Sequence, residues 1–159
     1  MSYVDTIVKS FAQNVIQGIQ SNIRTKQVTK YGAMNTTGTM ADSLGYKWDG
    51  KTLIIYSTEK YFTVLETGRK PGKQPPSDPI RKWIEAKGVA RDISSKSLAF
   101  LIARKIGREG SLLYRKGGKS GIISEYINSK YIQDNLTDKF FLETVNVITN
   151  KLTDGNPNT

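Results

Sequence analysis

The spacing of apolar residues predicts a long amphipathic helix at the start of the chain. Apolar side chains recur at intervals of three and four over residues 3–24, which is the period of one helix face. They are Val4, Ile7, Val8, Phe11, Val15, Ile19 and Ile23. Amide side chains fill most of the other face, so this helix is expected to bury one side only.

Similar but shorter patterns predict further helices. One is expected over Glu59–Thr67, ending at Gly68, and another after Asp78, with Asp78 as N-cap residue and Pro79 as first helical residue. A third begins after Ser94 or Ser95 and ends near Gly110, where Gly commonly follows a helix. Ile122–Tyr131 favours a helix, and Phe140–Leu152 predicts a C-terminal one.

Two segments around residue 50 predict a β-hairpin. Leu44–Trp48 and Lys51–Ser57 have strand composition, and Asp49-Gly50 between them favours a type I′ turn. Residues 25–42 and 111–121 lack periodicity and are expected to be loops. The fold class is therefore α+β: a small antiparallel sheet with a hairpin, packed against the long N-terminal helix and further short helices, with extended loops. We expect one domain over residues 1–152 and a disordered tail over 153–159.

Charge is concentrated in the middle of the chain. The 159 residues carry a formal net charge of +10. Residues 66–119 hold fourteen Lys and Arg against five Asp and Glu, a balance of +9. Such a cluster points to an anionic partner, most often a nucleic acid, although cations on a solvated surface are the plainer interpretation.

The composition also excludes several kinds of chemistry. There is no Cys and no His, so thiol nucleophiles, Cys-type zinc sites and His-based triads are excluded. Asp78, Glu85 and Lys87 imitate a metal-dependent nuclease motif, but they fall on a predicted helix, where positions i and i+2 diverge by about 200°. We therefore expect no catalysis, no metal and no cofactor. No apolar run approaches the roughly 18–20 residues of a membrane span, and no membrane partner is expected.

Three segments resemble proteins of tailed phages. Thr37–Leu44 resembles a T-G-x-L-x-x-S-I pattern that follows the first helix in one family, and Tyr61–Gly68 resembles its Y-x-x-x-x-E-x-G segment. Gly68–Gly110 resembles the virion morphogenesis proteins, in which a Pro/Gly-rich loop leads to a W-I helix and then to a K-I-x-x-x-G element. These are head–tail connector, neck and tail-completion proteins. Lys73–Pro79 departs from the Pro-Phe-hydrophobic-x-Pro-Ala segment of part of the family, and the last forty residues match no pattern of it.

The resemblance implies a structural virion protein, assembled in the host bacterial cytoplasm. Its subunits would form a ring of twelve or six around the DNA channel at the head–tail junction or in the tail, next to portal, neck or tail proteins. A ring of this kind needs a head-to-tail interface between copies, and its contact with DNA would be weak and non-specific. Six cations on Gly- or Pro-rich loops are the candidates for facing DNA: Arg69, Lys70, Lys73, Arg115, Lys116 and Lys119. The candidates for the subunit interface are Trp48, Tyr56, Tyr61 and Glu66.

A second hypothesis rests on charge alone. The chain would then be a stand-alone nucleic-acid-binding accessory protein, with submicromolar affinity for short duplexes and a steep salt dependence. A connector is expected to bind free DNA only weakly, so the two hypotheses differ in a measurable quantity.

Overall fold

The computed structural model describes residues 2–29, 32–33 and 38–154. The fold is mixed α+β, as predicted, and the long N-terminal helix α1 spans Tyr3–Thr25. The remaining elements follow in chain order: β1 (Gln27–Thr29), β2 (Gly32–Ala33), α2 (Thr39–Asp42), β3 (Leu44–Trp48), β4 (Leu53–Ser57), α3 (Val64–Thr67), α4 (Ser77–Lys87), α5 (Ser95–Glu109), α6 (Leu112–Arg115), α7 (Ser129–Ile132), a π-helical turn (Gln133–Thr137) and α8 (Asp138–Asp154).

The core lies along one face of α1. Val15, Ile19 and Ile23 are completely buried, at the spacing that the sequence pattern predicts. They pack against Leu65 of α3 and Ile122, a distant residue on a turn. Burying a side chain of this size stabilises the fold by about 1.5–3 kcal/mol, so α1 organises the elements on both sides of it.

The β3–β4 hairpin covers part of α1. Its antiparallel register pairs Leu44 with Ser57 and Trp48 with Leu53, which leaves a loop of four residues, 49–52. The predicted type I′ turn is therefore wrong. Within this loop only Gly50 takes a positive φ, of 90°, whereas a type I′ turn needs two such residues. Asp49 accepts hydrogen bonds through Oδ1 from the backbone N–H groups of Lys51 and Thr52. This local side-chain bonding replaces the two-residue turn.

Several other boundaries differ from the sequence prediction. The segment 25–42 contains β1, β2 and α2 rather than only loop. The helix predicted from Glu59 is confined to α3, since residues 59–63 form bends and turns. The α4 helix begins at Ser77 after Pro76, so Asp78 is its second residue rather than its N-cap. Helix α5 begins after Ser94, the first of the two predicted caps, and the Oγ of Ser94 accepts from the N–H of Ser97.

The C-terminal third is more ordered than expected. Residues 111–121 contain α6, and the predicted helix over 122–131 is replaced by turns and the start of α7. The predicted C-terminal helix is confirmed as α8, and it extends through Thr153 and Asp154, the first two residues of the predicted tail. Residues 155–159, the rest of that predicted tail, lie outside the described residues.

Candidate nucleic-acid interface

Two basic segments lie side by side, although about forty residues separate them in the chain. The N–H of Arg69 donates to Ser111 Oγ at 2.9 Å, and the N–H of Ser111 donates to the carbonyl of Arg69 at 2.7 Å. The N–H of Gly72 donates to the carbonyl of Gly107 at 2.8 Å. The loop after α3 therefore runs along the junction of α5 and α6, and the two predicted loops form one surface.

Glycine permits this close approach. Gly68 ends α3 with a φ of 73°, and a Cβ at this position would lie 2.5 Å from the backbone nitrogen of Tyr114. Any side chain at Gly68 would push the two segments apart. The glycine that the sequence pattern assigned to a helix end is thus also the point where α3 contacts α6.

Glu66 joins the same two regions through its side chain. Its carboxylate accepts hydrogen bonds from the backbone N–H groups of Gly121, Ile123 and Ser124, at 3.0, 2.9 and 3.3 Å. The hydroxyls of Ser120 and Ser124 donate to it as well, at 3.3 and 2.6 Å. One carboxylate thus gathers a turn of five residues, 120–124, against the end of α3.

This cluster keeps Glu66 ionised. Burial raises the pKa of Glu66, but the hydrogen bonds from the Ser124 hydroxyl and from the three backbone N–H groups outweigh it. The pKa of Glu66 therefore lies below its ordinary value of 4.5. Hydrogen bonds to the charged form of a carboxylate have this effect because protonation would remove an acceptor.

The helix α1 anchors the far side of the same turn. Asn22 Nδ2 donates to the carbonyl of Ile122 and to a carboxylate oxygen of Glu125, at 3.3 and 2.7 Å. Lys26 Nζ lies 3.1 Å from the same Glu125 oxygen. The turn that holds Glu66 is therefore fixed from two directions, and the segment carrying Lys119 leads directly into it.

The six cations predicted to face DNA lie on these two joined segments. Arg69 Nη2 donates to the carbonyl of Lys73 at 3.0 Å, and Arg115 Nη1 lies 3.4 Å from a Glu109 carboxylate oxygen. The other four candidates, Lys70, Lys73, Lys116 and Lys119, are exposed. Within the part of the chain that the structure describes, none of these four ammonium groups has an ion pair or hydrogen bond. They are free to meet an anion.

The four predicted interface residues do not form one patch. In the register of the hairpin, Trp48 and Tyr56 fall on opposite faces, because side chains alternate along a strand. The indole N–H of Trp48 donates to Asp5 Oδ1 at 2.7 Å, and this bond holds the pKa of Asp5 below its ordinary value. Tyr56 faces outward beneath the Lys47 ammonium, 5.4 Å from its ring centroid.

Tyr61 and Glu66 also differ from each other. Tyr61 is 46% exposed and is available for contact with another molecule. Glu66 uses both carboxylate oxygens within its own chain, so it contributes to an interface only through the turn that it holds. The sequence motif pointed to Glu66 but gave no sign of its partners, because residues 120–124 carry no recognisable pattern.

Two of the three nuclease-like residues, Asp78 and Glu85, line a separate, open groove, and Lys87 is not among its lining residues. Asp78 and Glu85 flank Arg81 on α4, whose guanidinium lies 3.6 and 3.4 Å from their carboxylates. Glu85 and Lys87 are two residues apart on a helix, as predicted, and diverge. Among the described residues, no three or more metal-ligating side chains cluster together.

Comparison with known proteins adds no relative. The chain matches no protein-family model, no curated protein and no solved structure. None of the helices in the described ranges is both long enough and apolar enough to cross a membrane.

Proposed function

We propose that this protein is a structural component of a tailed-phage virion, forming a ring around the DNA channel at the head–tail junction or in the tail. The observation that carries the proposal is the joined basic surface. Cations from two distant segments of the chain lie side by side, and four lysines there have no partner of their own among the described residues.

Repetition around a ring would multiply this surface. Duplex DNA carries about one negative charge per 1.7 Å of its axis, so a cationic annulus attracts it irrespective of sequence. Flexible lysine ammonium groups suit a passing strand, because each contact is a point charge that exchanges readily with salt ions. Such a surface holds DNA without binding any one site.

Assembly and DNA binding are tested separately. We expect electron microscopy and light scattering of the purified protein, alone and with portal or tail proteins, to show rings of six or twelve copies. In titrations with a short duplex, we expect weak binding by the free subunit. A protein that stays monomeric under all these conditions, and binds duplexes at submicromolar concentration, would instead be the stand-alone nucleic-acid-binding protein.

A matched pair of variants tests the basic surface. The first variant replaces Lys70, Lys116 and Lys119 with Ser. The second replaces Lys82, Lys87 and Arg91 with Ser, and so removes the same charge elsewhere in the basic segment. For the assembled protein, we expect only the first variant to reduce the slope of log K against log salt, by about 0.9 for each phosphate that is no longer neutralised. Equal slopes for the two variants would contradict the proposed DNA-facing role.

A further inference from the structure

The helix α8 has a long apolar face that no other described element covers. Phe141, Val145, Ile148 and Leu152 are spaced by four, three and four residues, which is the spacing of a helix-pairing seam. Phe141 is 69% exposed and Leu152 73% exposed. The helix contacts the π-helical turn and α1, and all four residues of the seam remain exposed.

The stretches of this sequence outside the described residues are short. Each is at most five residues long. The stretch that follows α8, Gly155 to Thr159, contains no large apolar side chain. The seam is about 16 Å long at the rise of an α-helix, and an apolar face of similar length on a second copy would remove it from water.

The helix α5 has an unpartnered face of a complementary kind. Phe100 and Leu101 are each 51% exposed, while the opposite face of α5 packs on α4. Cations surround this apolar pair on the exposed side of the helix: Lys96, Arg104, Lys105 and Arg108. An apolar centre with a charged rim is the composition of a protein–protein contact. DNA phosphates would neutralise the cations but leave both apolar side chains in water.

The two faces fit in an antiparallel orientation. On α8, Asp138 precedes the apolar residues of the seam; on α5 the apolar pair comes first, and Arg104 to Arg108 follow. Placed antiparallel, Asp138 meets the basic end of α5 while Val145 and Ile148 meet Phe100 and Leu101. The separations agree, since Asp138 and Val145 are seven residues apart, as are Leu101 and Arg108, and seven residues correspond to about 10 Å of helix. The two helix dipoles are then also opposed, which is favourable.

We propose that α8 of one copy docks antiparallel on the outer face of α5 of the next copy. The two faces lie on different parts of the molecule, so each copy offers one of each. This arrangement is head-to-tail, which closes into a ring when the rotation permits. The inference rests on the proposed ring function and identifies the surfaces that would build it.

Cysteine crosslinking tests this contact, because the chain has no Cys of its own. A double variant, Phe100→Cys with Ile148→Cys, is oxidised and separated on a non-reducing denaturing gel. We expect a ladder of dimers, trimers and larger species. The single variants alone give no dimer, and their mixture gives a dimer and nothing larger. The control pairs Phe100→Cys with Asn146→Cys, which lies on another side of α8.

The ladder of the first pair should be at least about tenfold stronger than that of the control, because a formed contact raises the effective thiol concentration to the millimolar range. Dimers of Ile148→Cys alone would overturn the inference in favour of α8 pairing with α8. A ladder abolished by duplex DNA would overturn it in favour of nucleic acid on α5. Oligomers of six or twelve copies found by light scattering without the ladder would overturn this contact and leave the proposed function intact. A monomer without the ladder would count against both.

Discussion

At the residue scale, one carboxylate connects two distant parts of the chain. Glu66 accepts hydrogen bonds from Gly121, Ile123 and Ser124 and thereby fixes the turn that follows Lys119. A half-buried carboxylate would weaken the fold if it lacked partners. With its donors in place it orders the basic segment, so the side chain supports the proposed DNA-facing surface without belonging to it.

Replacing Glu66 with Gln should destabilise the protein. The amide retains one acceptor oxygen but turns an NH₂ group toward N–H donors, and we expect a loss of about 1–3 kcal/mol in the free energy of unfolding. Urea denaturation measures it. The control is Glu59→Gln, because no contact of the Glu59 side chain contributes to this cluster. Equal losses in the two variants would contradict the role assigned to Glu66.

A comparison of the wild-type protein with the Glu66→Gln variant also gives a pH test. Because the pKa of Glu66 is lowered in the folded state, its ionisation stabilises the protein above the ordinary pKa of 4.5. That contribution is lost as pH falls through the folded-state pKa. The stability difference between wild type and Glu66→Gln should therefore be constant near neutrality and shrink below about pH 4.5. A difference that stays constant into acid would contradict the hydrogen-bond origin of the lowered pKa.

At the element scale, α1 shows how tertiary packing reverses a local preference. Gly18 lies inside this helix, where Ala is ordinarily favoured by about 1 kcal/mol. The ring of Tyr126 occupies the space that a Cβ at Gly18 would take. The glycine therefore admits the ring to the helix surface, and Tyr126 in turn stacks edge-on against Tyr131, with centroids 5.3 Å apart.

We accordingly expect Gly18→Ala to destabilise the protein, by about 1–3 kcal/mol, as overpacking does. Thermal unfolding followed by circular dichroism measures the change. The neighbouring substitution Gln17→Ala, at an exposed position of the same helix, should be neutral or slightly stabilising. If Gly18→Ala raised the stability instead, Tyr126 would not pack at that position in solution.

At the scale of the whole molecule, the chain contains two regions of unequal packing. Around α1 the core is continuous and includes residues from distant parts of the sequence. The α4 and α5 helices bury chiefly Ile84, Ala99 and Ala103 against each other. The backbone bonds at Gly72–Gly107 and Arg69–Ser111 tie the end of α5 to the loop after α3.

Hydrogen exchange should report this difference. We expect amides of α4 and α5 to open at lower free energy than those around Ile19 in α1, because fewer apolar contacts hold them. Native-state exchange measured with increasing denaturant separates the two groups, and the amides of Val15 and Ile23 provide the internal reference. A single opening free energy for all three helices would show one cooperative unit. Protection of α4 and α5 that increases with assembly would agree with the proposed contact at α5.

The elements whose signal is local could be predicted from the amino-acid sequence. Periodicity and capping act between residues close together in the chain. They predict the buried face of α1, the β3–β4 pair, a cap at Ser94 or Ser95 and the helix α8. The basic character of residues 66–119 is likewise a property of composition.

Contacts between residues that are distant in the chain became visible only in the folded structure. Examples are the hydrogen bonds between Arg69 and Ser111, the donors of residues 120–124 around Glu66, and the ring of Tyr126 beside Gly18. The hairpin register also places Trp48 and Tyr56 on opposite faces. No window of sequence contains both partners of such contacts, because each forms only when the core around α1 brings its segments together.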